Sequence, residues 1–128
     1  MSYYNTKIVN LTFDEAIART TEELKKEGFG VLTEIDVKST LKKKIDVDFR
    51  NYRILGACNP PFAYKALQAE DKIGVMLPCN VVVQENKDGK TEVSIINPLV
   101  SMQAVQNTNL EAVAVQVSEK LKNVLNNL

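Results

Sequence analysis

The chain contains no histidine, and this absence excludes more chemistry than any residue present supplies. Neither a Ser-His-Asp nor a Cys-His catalytic arrangement can be assembled from this chain alone. Imidazole-based zinc, copper and non-haem iron sites are excluded with them. An excess of either charge is missing as well, because 16 Lys and Arg balance 16 Asp and Glu. Nucleic-acid binding draws on a strongly basic surface, so no nucleic-acid partner is expected. No stretch approaches the roughly 20 apolar residues of a membrane span, and no membrane partner is expected either. The opening MSYYNTKIVN lacks the basic start and apolar run of a signal peptide, so a cytoplasmic location is the default expectation. In that compartment the two cysteines are expected to be thiols. Walker loops and dinucleotide fingerprints are absent, and no cofactor is implied.

What is present reads as one ordinary domain, residues 1–128, with 45% hydrophobic and 25% charged residues, enough to bury a core without staples. Tyr3 to Val9 is β-rich and predicts a strand. Thr12 and Glu15 form a capping-box pattern, and Phe13, Ala16, Ile17 and Leu24 share one face of a helix that Gly28 ends. Phe29, Val31, Thr33 and Ile35 alternate onto one side of a second strand. Asp36 caps a short helix with Val37, Leu41 and Ile45 as its stripe, and Lys42-Lys43-Lys44 is its solvated face. Tyr52 to Cys58 reads as a buried strand. Asn59-Pro60-Pro61 starts a helix buried through Phe62, Ala63, Ala66 and Leu67. Gly74 to Val83 predicts a strand interrupted or bent at Pro78. Asn86 to Lys90 predicts a hairpin into Thr91 to Ile96. Leu99 to Gln106 has no clear pattern, and Met102 reads as core filler. Thr108 and Glu111 repeat the capping-box pattern before a final helix. Its stripe is broad: Leu110, Val113, Ala114, Val117, Leu121, Val124, Leu125 and Leu128. This order predicts an α+β fold, a single layer of helices on a mostly antiparallel sheet.

Tyr52 to Val83 concentrates the chemistry, with both cysteines, each followed by asparagine, and three of the four prolines. Cys58 precedes a helix start, where N–H groups and the helix dipole favour a thiolate. Cys79 follows Pro78. If the flanking strands are neighbours, the two thiols can serve as a redox pair or bind a small molecule or soft metal, with Asn59 and Asn80 as polar supports. Against this, free cysteine commonly packs as a small hydrophobe, and the spacing matches no CxxC motif. Asn59 and Asn80 also suit caps and bends. Glu34, Asp36, Asp46 and Asp48 are explained by loop and cap duties, and Arg53 by a surface ion pair. No catalytic residue or metal ligand set is identified.

The stretches GFGVLTEIDVKSTLKKKIDVDFRNYRILGACNPPFAYKAL and IGVMLPCNVVV resemble the bacterial and archaeal domain of unknown function 302 family (DUF302), over nearly the whole chain from Phe13. The resemblance implies a TATA-binding-protein-like β-α-β(4)-α arrangement and often a homodimer, with no established activity. Cys58 and Cys79 lie within the stretches that carry it. Two readings stand: a thiol-dependent small-ligand, soft-metal or redox binding module, and a non-enzymatic dimeric interaction or apolar-ligand-binding domain in which the cysteines pack.

Overall fold

The first helix forms as its sequence dictates. In the computed structural model, which describes Met1–Leu128, strand β1 (Tyr4–Val9) leads into α1 (Phe13–Lys26) through the capping box. The Thr12 N–H donates to Glu15 Oε1 at 2.9 Å and Thr12 Oγ1 accepts from the Glu15 N–H at 3.2 Å. The first of these bonds holds the Glu15 carboxyl below its usual range, because it stabilises the charged form. Gly28 ends the helix region at φ +86°, a conformation open to glycine.

The remaining elements are β2 (Gly30–Asp36), α2 (Val37–Ile45), β3 (Tyr52–Cys58), α3 (Pro60–Ala69), β4 (Cys79–Glu85), β5 (Thr91–Ile96), α4 (Pro98–Ser101) and α5 (Glu111–Asn126). The strands form one sheet in the order β1-β5-β4-β3-β2, and every neighbouring pair is antiparallel. The α+β architecture expected from the sequence is therefore present, with α2 and α3 inserted between successive strands of the last four. Asn86 Oδ1 accepts from the Asp88 and Lys90 N–H groups, and Gly89 has φ +74°, which closes the expected hairpin.

Leu55, Ala57, Val81, Val83, Val93 and Ile95 form the inner face of the sheet and pack with Ala16 and Leu24 of α1 and Val117, Leu121, Val124 and Leu125 of α5. Each Val, Leu or Ile among them contributes about 1.5–3 kcal/mol on burial. Residues paired directly across strands share a face. The row Ile35–Ile54–Val82–Ser94–Thr6 crosses all five strands on the outer face.

Four local expectations are corrected. Asp71–Met76 is a 3-10 helix, and β4 begins only at Cys79, since Pro78 has no N–H to give to a ladder. Thr108 does not cap α5; a 3-10 turn capped by Asn107 intervenes, and Leu110 precedes α5 without a side-chain cap. Leu67 is 45% exposed, outside the buried stripe of α3. Finally, β2 does not alternate regularly. Val31 pairs with Ala57 and Thr33 with Gly56, so Leu32 is an extra residue. This β-bulge puts Thr33 and Ile35 on the opposite face from Val31.

Gly56 accommodates the bulge. A Cβ there would lie 2.1 Å from Thr33 Oγ1 and 2.8 Å from Pro78 Cγ. The hydroxyl can rotate away, whereas the proline ring has little freedom. Gly56→Ala is therefore expected to lower stability by about 1–3 kcal/mol in urea unfolding; an unchanged midpoint would show that β2 and Pro78 yield freely.

Candidate functional site

Where β2, β3 and β4 meet α3 and α5, the side chains leave a cavity of about 290 Å³. It bends round the end of the sheet. Ala57 and Cys79 reach it from the inner face, and Leu32, Thr33 and Cys58 from the outer side of the pairing. Ala114 and Val117 of α5 close its deep end, and Ala63 and Ala66 of α3 form a side wall. Leu32, 69% exposed, marks the mouth. Fourteen of the 18 lining residues are hydrophobic, and no Asp, Glu, Lys or Arg is among them.

Both cysteines line this cavity and both are free. They are not cross-strand partners: Cys79 lies opposite Ala57, whereas Cys58 lies opposite Gly30. The pleat sends their side chains to opposite faces at the sheet end. Burial pushes the Cys79 thiol up to about 11, and the charge of a Cys58 thiolate would push in the same direction. The helix start beside Cys58 is poor in donors. Pro60 and Pro61 occupy its first two positions and carry no N–H. The Ala63 N–H is bonded to the Asn59 carbonyl, leaving the Phe62 N–H as the free donor of that turn.

The two asparagines separate. Asn59 is buried, lines the cavity and donates Nδ2 to the Glu27 carbonyl at 3.2 Å, tying the end of α1 to the start of α3. It makes no side-chain cap to α3. Asn80 lies opposite Gly56 and borders a shallow depression on the outer sheet face with Tyr52, Val82 and Ser94. It does not line the cavity. The carboxylates have the structural duties expected of them: Arg53 pairs with Glu34 at 2.6 Å and Asp36 at 3.5 Å, and Lys42 with Asp46 and Asp48. Asp36 also caps α2. No group of three or more His, Cys, Asp or Glu side chains is arranged to hold a metal. No helix is long and apolar enough to cross a membrane.

Thr33 is the wall residue that the alternation pattern missed. The signal was the adjacent apolar pair Val31-Leu32, which a regular one-sided strand does not contain.

The fold and cavity define a small α+β domain with an apolar pocket at one end of an antiparallel sheet. A family model described as "Domain of unknown function DUF302" matches residues 4–128, and the chain belongs to that family. It is similar to a solved structure, "uncharacterized conserved protein DUF302 from Bacillus stearothermophilus", at 31% identity and a TM-score of 0.91, with 98% of each chain covered. No curated protein matches it.

The raised Cys79 pKa has a thermodynamic consequence. Between its ordinary value of 9.0 and about 11, the unfolded chain loses this proton while the folded chain keeps it. The associated stability is full below pH 9.0 and is lost as pH rises to about 11, by roughly 2–3 kcal/mol. Urea unfolding across that range is expected to show a shallower decline for Cys79→Ala than for the wild type. Parallel declines would place the thiol in water.

Proposed function

We propose that this domain binds a small, uncharged, apolar molecule in the cavity, with the two thiols as soft parts of the wall. The observation that carries this reading is the wall itself, apolar at fourteen of 18 positions and free of ionised carboxylates and amines. A charged ligand group would be desolvated there without a partner, whereas apolar surface gains on entry. A cavity of about 150 Å³ can hold benzene, so about 290 Å³ suits roughly ten to twelve heavy atoms. A reducing, cytoplasmic setting, in which both thiols stay unpaired, is part of the proposal.

Butylbenzene is a suitable probe. At tenfold above its Kd it is expected to raise stability by about 1.4 kcal/mol and to slow alkylation of Cys58, while Ala114→Leu, which fills the deep end, abolishes both effects. No change in melting or thiol reactivity at saturation overturns the proposal. The Cys58→Ser, Cys79→Ala double variant separates the two readings. Retained binding makes the thiols wall, whereas lost binding with an intact fold favours the thiol-dependent module, whose support is that both thiols line one cavity.

We further infer that a second copy of the chain covers the outer sheet face. Five strands about 4.8 Å apart and about 20 Å long present roughly 480 Å² per copy, near the lower limit for a specific interface. Tyr4, Ile8 and Ile35 are 41%, 49% and 48% exposed on that face. Sedimentation equilibrium is expected to give twice the chain mass for the wild type and the single mass for Val82→Lys; a wild-type monomer at all concentrations rejects the dimer.

A further inference from the structure

The geometry points to one arrangement of the two copies: their two-fold axis runs along β4, and Arg50 of each meets the partner's Glu92. This rests on the dimer reading above and adds the register and the charges that select a second copy as partner. Along the outward positions of the five strands, Glu92 is the one charged side chain. Its Oε2 accepts from Gln84 Nε2 at 3.1 Å, and no Lys or Arg of its own chain pairs with it. Arg50 is the matching cation. Its guanidinium lies over the rings of Phe49 and Tyr52, 4.4 and 5.5 Å from their centroids, and its Nε donates to Gln84 Oε1 at 2.9 Å. Tyr52, Gln84 and Glu92 share one outward row, so the guanidinium lies on the outer face, and it too has no acidic partner. A two-fold interface must be self-complementary, and one unpaired acid with one unpaired base meets that condition.

β4 is the middle strand of the sheet. Two symmetric packings keep the strands of facing sheets nearly aligned. An axis along β4 lays β5 over the partner's β3, with each row facing its own copy. Glu92 then faces the partner's Tyr52, the ring over which the partner's Arg50 lies. An axis across the strands, through the row of Val82 and Ser94, lays β5 over the partner's β5. It sets Glu92 against the partner's Ile96, two residues beyond Ser94, where a carboxylate is desolvated without a cation. The first packing pairs both charges, once at each end of the interface.

The apolar side chains fit the same axis. It lays β1 over the partner's β2, with Thr6 opposite the partner's Ile35, because these residues end one row. Tyr4 and Ile8, 41% and 49% exposed, flank the smaller Thr6, and Ile35, 48% exposed, fills the gap between them. The Thr6 hydroxyl is already bonded to Ser94 Oγ at 2.9 Å, so covering it strands no polar group.

Sedimentation velocity on the wild type, Glu92→Arg, Arg50→Glu and an equimolar mixture of the two variants tests the arrangement. Each variant alone sets like charges together at both contacts, and its dimer is expected to dissociate roughly a hundredfold more readily than the wild type's. The mixture is expected to recover a dimer holding one copy of each variant, because both contacts become acid against base. A pair closed within one chain gives no such recovery. Should a charge reversal unfold the chain, Glu92→Gln and Arg50→Gln give a second reading: each weakens the dimer, and the double variant weakens it by less than the product of the two fold-changes. Single variants as dimeric as the wild type, a mixture that stays monomeric, or losses that multiply fully overturn the pairing and leave the dimer standing. A wild-type monomer at all concentrations overturns both.

Discussion

The broad apolar stripe of α5 governs both the core and the cavity. Its C-terminal part, Val117, Leu121, Val124 and Leu125, is covered by the sheet and α1. The residue just before its N-terminus, Leu110, packs instead with Ala66 and Ile73 in a separate small cluster, and Val113 touches both groups. The cavity is the seam between the two. It stays open because small residues meet there: Ala57 from the sheet, Ala63 and Ala66 from α3, and Ala114 from α5. Leucine-sized side chains at these positions would close the seam and merge the clusters, the arrangement that interior packing density favours. A void lined by small apolar groups loses dispersion contacts unless something else supplies them.

The parts of the fold that were legible in the sequence are those fixed by local chemistry. The Thr12–Glu15 capping box, the left-handed Gly28, the Asn86–Gly89 hairpin and the stripe of α5 each depend on residues within a turn or two of one another. The parts that were not legible depend on partners distant in the chain. Thr108 and Glu111 have the right spacing for a cap, but Asn107 forms the turn and donates Nδ2 to the Ala69 carbonyl at 2.9 Å. That tertiary contact holds 108–110 in a 3-10 turn. The bulge in β2 is likewise a property of its pairing with β3. From sequence it shows only as Val31 and Leu32 side by side.

The same distinction applies to the site. Both cysteines were legible as candidates because each is followed by asparagine, Cys58 just before a helix start and Cys79 just after Pro78. Their placement on opposite pleats was not, because it depends on a register pairing Cys79 with Ala57. The paired Cys-Asn pattern suggested equivalent roles for Asn59 and Asn80, but alternation in β4 turns Asn80 away from the side that Cys79 faces. Asn59 stays at the cavity because the chain turns there into α3, and its amide is drawn into holding Glu27.

The electrostatics of the cavity then follow from what surrounds the thiols. A stable thiolate needs a cation, several N–H donors or a metal close by. The wall contains no Lys or Arg, and the two prolines at the start of α3 remove donors that an ordinary helix N-terminus would supply. Cys79 is pushed up to about 11 by its burial, so it is neutral wherever the folded protein operates near neutral pH. A cavity without fixed charge discriminates between ligands by shape and by its few hydrogen-bonding atoms. The β2 bulge, by bringing Leu32 and Thr33 together onto that wall, makes the shape of its outer end a property of the β2–β3 pairing.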